Sequence, residues 1–242
     1  MSKYIKYLLL IAGIVLIVIL LLQQTAKGFL INGNTKFTQK DFDGAIAEYN
    51  KVIFIKPHSW AAYFGRGVAE EEKGLLDGAI ADYSKAIEFK PNCFDAYFNR
   101  GGAYNKTENF KKAIADSSKA IELKPDDADV YYIRGAAEAN LNSVDDAIAD
   151  FNKALELKPD YSSAYGFRGD LKRKKGDLDG SIDDYTKATQ FDPKLALAYK
   201  NCGIAKSIKG DLAGARTDFK KALDIKPGDI ETQKLLDKLN EK

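Results

Sequence analysis

Each proline in this chain stands 34 residues from the next: Pro57, Pro91, Pro125, Pro159, Pro193 and Pro227. A fixed period of that size marks an array in which every unit is one small structural element stacked on its neighbours. Registered on the prolines, the units are 26–59, 60–93, 94–127, 128–161, 162–195 and 196–229.

Other positions keep the same period. The eighth place of each unit holds Gly33, Gly67, Gly101, Gly135, Gly169 or Gly203. Glycine costs about 1 kcal/mol relative to alanine in an exposed helix, so its recurrence implies close backbone approach by a neighbouring helix. Small residues recur at the twentieth place (Ala45, Ala79, Ala113, Ala147, Ser181, Ala215) and, except for Val52, at the twenty-seventh. Bulk recurs at the fourth place (Phe29, Tyr63, Tyr97, Tyr131, Tyr165, Tyr199) and at the twenty-fourth (Tyr49, Tyr83, Phe151, Tyr185, Phe219), where Ser117 is the single small member. In the second half of a unit, apolar residues fall at helical spacing, as in Ala147, Ile148, Phe151, Ala154 and Leu155. That spacing makes one buried stripe, and the proline ends the helix that carries it.

This combination of glycine, paired small positions, paired aromatic positions and proline resembles the tetratricopeptide repeat (TPR) family over 26–229. The resemblance implies an all-α fold, a right-handed α-solenoid of six helix-turn-helix repeats. Val52 departs from the pattern in an end unit. Residues 230–242 look like the capping helix common in such arrays, with Leu235, Leu236 and Leu239 covering the last repeat; exposed apolar ends need a cap.

Ahead of the repeats, Tyr7 to Leu22 is an apolar run without charge, and the uncharged stretch continues to Ala26. As a helix, residues 7–26 would span about 30 Å, the thickness of a bilayer's hydrocarbon core. A cleaved signal peptide is the rival. The run exceeds the roughly 7–15 residues of a typical signal core, and Ala26 has Gln24 where a cleavage site needs a small residue. The expectation is therefore a tail over 1–6 and an uncleaved transmembrane signal-anchor helix over 7–25. Lys3 and Lys6 precede the run, whereas Lys27 alone follows it before Lys36. This asymmetry places the N-terminus in the cytoplasm and the repeats on the far side.

Charge narrows the choice of partner. The net charge is +2, and with Lys3 and Lys6 set aside the rest of the chain sums to zero. A nucleic-acid binder needs a basic excess to neutralise phosphates, so none is expected as a partner. The run from Lys172 to Lys175 reads as cations closing a helix. Cys93 and Cys202 lie three repeats apart, roughly 25 Å at about one helix spacing per repeat, too far for a disulfide.

Two constellations invite a functional reading. Arg66, Arg100, Arg134 and Arg168 hold the seventh place of four consecutive repeats, where the family usually has an aliphatic residue. Acids hold the twenty-third place of all six: Glu48, Asp82, Asp116, Asp150, Asp184 and Asp218. An anion-binding strip is one reading, but opposite charges between packed helices more simply form a structural ion-pair ladder. The second constellation comes from the resemblance, which implies a concave face lined by the second, fifth, sixth, ninth, twelfth and thirteenth places. Those places put Phe64, Val68, Phe98, Tyr132 and Ala136 in an apolar, aromatic middle, with the polar Asn99 among them, followed by Arg173, Lys174, Lys200 and Asn201 toward the C-terminal end. The alternative is that these aromatics pack into the neighbouring helix and meet no ligand. The carboxylate clamp of the family's chaperone-tail binders is not matched. The first three fifth places are Leu30, Phe64 and Phe98, and the corresponding sixth places are Ile31, Gly65 and Asn99.

No reaction centre accompanies these features. His58, the lone histidine, sits in a loop without the companions that a metal site or a histidine base requires. No phosphate-cradling glycine loop or catalytic triad is legible, so neither a cofactor nor a metal is expected. Asn105-Lys106-Thr107 matches a glycosylation sequon, which reads as coincidence unless the chain is a eukaryotic secretory protein. The expected function is that of a membrane-anchored, non-enzymatic scaffold that binds a partner protein or peptide in its groove. The alternatives are an architectural subunit using its convex face and a small-ligand receptor.

Overall fold

Proline has no amide hydrogen to continue a helix, so each of the six closes one helix, and the loop around it opens the next. The computed structural model describes residues 3–240, which form helices and no strand. Two compact units divide the chain, one ending at Asn109 and the other starting at Phe110, inside the third repeat.

The first unit contains α1 (Lys3–Thr38), α2 (Phe42–Ile55), α3 (Trp60–Glu72), α4 (Leu76–Phe89) and α5 (Phe94–Lys106). The second contains α6 (Phe110–Leu123), α7 (Ala128–Asn140), α8 (Val144–Leu157), α9 (Ser162–Lys174), α10 (Leu178–Phe191), α11 (Ala196–Lys209), α12 (Leu212–Ile225) and α13 (Ile230–Asn240). Within each unit consecutive helices pack on one another. The opening helices of successive repeats also touch, α1 with α3 and α3 with α5, then α7 with α9 and α9 with α11. Each unit is therefore a stretch of α-solenoid built of two layers, one made of opening helices and one of closing helices.

Each repeat turns sharply between its two helices. The fifteenth place is in the left-handed region in all six: Gly74, Gly176 and Gly210, but also Lys40, Glu108 and Asn142 at φ 61°, 58° and 64°. Only the non-glycine residues are strained there, by about 1–2 kcal/mol each. Asp41, Asp177 and Asp211 then cap the second helix, accepting from the amides of Gly44, Gly180 and Gly214 at 2.9 Å.

The eighth-place glycines accommodate something other than the neighbouring backbone expected from sequence. A Cβ on Gly33, Gly67 or Gly169 would lie 2.7–2.9 Å from the ring of Tyr49, Tyr83 or Tyr185, the twenty-fourth-place aromatic of the same repeat. At Gly135 and Gly203 a carbonyl also comes within 3.2 Å. The two periodic signals are thus two halves of one contact, a ring laid on a bare helix surface. Tyr83, Phe151 and Tyr185 are completely buried by it. Val52 fills the corresponding space at the edge of the array, packed with Ala26 and Ala62. At the other end Leu236 and Leu239 of α13 close over Ala215 and Phe219, with Leu235 partly buried beside them. The last two residues of the expected cap, and the first two of the expected tail, lie outside the described residues.

No break separates the apolar N-terminal segment from the repeats. Residues 3–6 are already helical, and α1 runs unbroken from Lys3 through the first helix of repeat 1 to Thr38. From Tyr7 to Leu22 its large side chains are all exposed, whereas Ala26 is buried. The segment is long and apolar enough to span a membrane.

Candidate functional site

The fifth, ninth and twelfth places of an opening helix share one face, so stacking two such helices lines them into a groove. In the first unit this groove is a cavity of about 370 Å³. Leu30, Phe37, Trp60, Phe64 and Val68 make its apolar wall, and Asn34 and Asp95 supply polar groups. Tyr49 forms the floor, its hydroxyl donating to Asn34 Oδ1 at 2.8 Å. The second unit has a smaller cavity of about 130 Å³ between α9 and α11, lined by Phe167, Asp170, Tyr185, Leu197 and Asn201. Here Asp170 is fixed from two sides, accepting from the Tyr185 hydroxyl at 2.6 Å and from Asn201 Nδ2 at 2.8 Å.

The sequence-derived groove residues separate into different roles. Phe64 and Val68 line the first cavity, and Asn201 lines the second. Phe98 stacks on Phe94 with ring centroids 5.9 Å apart, and Asn99 beside it is half-buried. Tyr132 belongs to an aromatic cluster with Tyr161, Phe167 and Phe151 at 5.0, 5.7 and 5.9 Å. Ala136 packs on the core around Phe151. The cations have partners within their own unit: Lys200 pairs with Glu231 at 2.7 Å, Lys174 donates to Asn142, and Arg173 donates to the Tyr185 hydroxyl at 3.4 Å. Sequence reasoning passed over Trp60, Phe37 and Phe167. Trp60 is the sole tryptophan and stands at a first place, where the family pattern directed no attention.

The seventh-place arginines tie helices together. Arg66, Arg134 and Arg168 each grip the aspartate of their own repeat through Nε and Nη2: Asp82 at 2.6 and 2.7 Å, Asp150 at 2.7 and 2.8 Å, Asp184 at 2.9 and 2.6 Å. The remaining Nη1 reaches back to the closing helix of the preceding repeat, to Asn50, Ser118 and Asn152, and in Arg100 to Ser84 at 2.8 Å. Each guanidinium also lies over the fourth-place tyrosine one turn earlier, at 5.4–5.8 Å. Planar geometry allows one arginine to do all this, which lysine could not. Asp116, the remaining acid of the expected ladder, is also buried.

The eleventh place sets the charge balance around these pairs. In repeat 5 Lys172 adds a second cation to Asp184, at 2.9 Å. In repeats 1 and 6, which have no arginine at the seventh place, Lys36 and Lys206 reach Glu48 and Asp218 at 3.6 and 2.7 Å. Repeats 2 and 4 instead bring a second acid, Glu70 beside Asp82 and Glu138 beside Asp150. Burial, reinforced by the Asp150 charge, pushes the Glu138 carboxyl up to about 7, while Arg134 opposes the shift. A carboxyl raised on folding holds its proton more tightly in the folded state. Its contribution to stability is full below the unfolded value near 4.5 and is lost as pH rises through about 7. Glu138→Gln should therefore leave stability unchanged at low pH and raise it by about 1 kcal/mol at pH ~8, the partial exposure of the site reducing the gain. Urea titrations at the two pH values check this; equal effects at both would refute the assignment.

Cys93 and Cys202 are buried and separate, and burial beside Asp218 pushes the Cys202 thiol up to about 12. Among the described residues, no group of three or more His, Cys, Asp or Glu side chains is placed to hold a metal ion.

Models of the TPR repeat match residues 72–108 and 169–207, and models of the tetratricopeptide repeat match 94–127 and 128–161. The crystal structure of MamA is 30% identical, with a TM-score of 0.63 over 66% of this chain and 94% of that one. YrrB, described as a TPR protein with an unusual peptide-binding site, is 24% identical with a TM-score of 0.64, over 77% of this chain and 96% of that one. PilF of Pseudomonas aeruginosa is 18% identical with a TM-score of 0.76, over 90% of this chain and 99% of that one. The likeness to the last two is one of fold. A search of curated proteins finds no match.

Proposed function

The chain belongs to the tetratricopeptide repeat family, and from that premise we propose that it is a membrane-anchored, non-catalytic scaffold that holds an apolar segment of a partner protein in the groove of its first unit. The observation that carries this reading is the cavity between α1 and α3, where Leu30, Phe37, Trp60, Phe64 and Val68 converge. Apolar walls with a few fixed polar groups are the usual chemistry of a pocket that anchors a side chain. YrrB, a neighbour in fold, is described as having a peptide-binding site, which supports the same use of the fold here.

A helix long and apolar enough to cross a bilayer leads directly into that groove's wall, so the partner is bound within a few helical turns of the membrane. The lysine asymmetry favours a cytoplasmic N-terminus with the repeats on the opposite side. The expected basic contribution toward the C-terminal end is weakened by the pairing of Lys200 with Glu231, which leaves apolar contact as the main source of affinity.

A photo-crosslinking residue in place of Ala61, on the groove wall, should capture a partner in native membranes, and the same residue in place of Lys85 should not. Val68→Asp puts a charge into the apolar wall and should abolish the capture from position 61 while the helical signal is kept. Capture from position 85 that is indifferent to Val68→Asp would instead favour docking on the face made by the closing helices.

A further inference from the structure

The twenty-ninth place is polar in five of the repeats: Glu88, Glu122, Glu156, Gln190 and Asp224. In the first repeat it is Phe54, and that ring is 88% exposed. The lysine at the twenty-sixth place is constant from Lys51 to Lys221. In repeats 2, 3 and 4 it pairs with the acid one turn on, at 2.6–2.7 Å. In repeat 1 the acid has given way to phenylalanine, and Lys51 turns back to Glu48 at 2.7 Å. An exposed ion pair has thus been exchanged for an exposed ring in one repeat alone, a substitution that water disfavours.

The position of this edge indicates what covers the ring. Ala26 packs with Val52 and Ala62, which holds the end of α2 against α1 where the apolar run stops. A cleft of about 370 Å³ there is lined by Leu20, Gln23, Gln24, Lys27, Lys56 and Ser59. Leu20 lies within the apolar run, so the α2–α3 loop sits level with its last turns. No acid occurs before Asp41, nor between Tyr49 and Ala69, so both strands of chain that build this edge carry only positive charge. Trp60 opens α3 on the same edge, with the Lys90 ammonium 3.8 Å from its ring centroid.

We propose that this edge of the first repeat is seated in the headgroup layer of the membrane that α1 spans, with Phe54 entering the acyl boundary and Lys27 and Lys56 facing anionic phospholipid headgroups. The proposal rests on the reading of α1 as a membrane anchor. An aromatic side chain with lysines beside it is the composition of an interfacial contact, apolar on one side and attracted to negative lipid on the other. Such a contact fixes the tilt and rotation of the array, which a single spanning helix leaves free.

The test uses the full chain reconstituted in phosphatidylcholine vesicles with and without phosphatidylglycerol. Phe54→Cys carries an environment-sensitive fluorophore; Cys93 and Cys202 are buried and leave position 54 as the accessible thiol. Gln39→Cys, in the turn between α1 and α2, is the reference. The probe at 54 should show blue-shifted emission, quenching by lipids labelled near the headgroup and protection from aqueous iodide, whereas the probe at 39 should behave as in water. Lys27→Gln with Lys56→Gln should remove the deeper placement in phosphatidylglycerol vesicles. Iodide quenching at 54 equal to that at 39, in a chain that resists alkaline washing, overturns the interfacial contact and leaves the anchor standing. Protection from iodide without quenching by lipid assigns the ring to a second copy or a partner protein and overturns it equally. Release of the chain by the wash removes the anchor and this contact together.

Discussion

Arg134→Leu should destabilise the second unit by about 2–4 kcal/mol, and Arg168→Leu should cost less. Removing one partner of a buried ion pair strands the other charge, typically at about 3–5 kcal/mol, with a smaller cost where water reaches the site. In repeat 4 the stranded group is Asp150, 5% exposed, and its nearest companion is another acid, Glu138. In repeat 5 the stranded group is Asp184, wholly buried but still held by Lys172 at 2.9 Å. The eleventh-place residue therefore decides the order of the two effects, against what burial alone would suggest. Arg134→Leu also severs the bond to Ser118 Oγ, so α6 loses a tie to α7 at the same time. Chemical denaturation in detergent, followed by circular dichroism, measures both variants. Combining Arg134→Leu with Asp150→Leu should recover most of the loss, because two apolar side chains replace the pair without leaving a charge. If Arg134→Leu proves as stable as the parent, the arginine strip is not structural.

The larger effect concerns the membrane. The full chain should remain with membranes through alkaline and high-salt washing, and a form lacking residues 3–22 should be released completely. Fully burying a leucine, isoleucine or valine side chain is worth about 1.5–3 kcal/mol, and the run from Leu8 to Leu22 presents more than ten of them, all exposed along α1. Even at the low end of that range, more than ten such side chains sum to over about 15 kcal/mol, which makes insertion irreversible in practice. Deletion up to Leu22 spares Ala26, whose burial against Val52 and Ala62 belongs to the repeat core, so the shortened form should keep its fold. A mature protein that begins near Lys27 and comes away with the wash would identify residues 7–22 as a cleaved signal instead.

Much of the architecture was legible in the chain alone because it repeats. One proline, one glycine and one aromatic per 34 residues signal a helix pair whether or not their mutual contact is known, and six copies average out local exceptions such as Ser117 and Val52. The left-handed turns were not legible, since Lys40, Glu108 and Asn142 carry no signature of the conformation that Gly74, Gly176 and Gly210 share with them. The groove was only partly legible. Period says which places share a helix face, but not how far a side chain at that place leans into its neighbour, so Phe64 and Tyr132, equivalent in register, differ in role. Phe64 walls a cavity, while Tyr132 is taken up by Tyr161 and Phe167.

Residue identity along the chain thus determined the class of fold and the apolar length ahead of the repeats, because hydrophobic period and helix punctuation are local properties that act within one or two turns. Tertiary structure alone decided what those residues meet: that the eighth-place glycine makes room for a ring, that Arg66, Arg134 and Arg168 each tie their own aspartate to the preceding repeat, that α1 is continuous from the apolar run into the groove wall, and that Phe54 stands uncovered near the end of α2. The glycine–ring and arginine contacts join residues 16 apart, set by how one helix leans and rotates on the next. Such packing depends on the volumes of all the side chains at the interface together, which no single position in the sequence specifies.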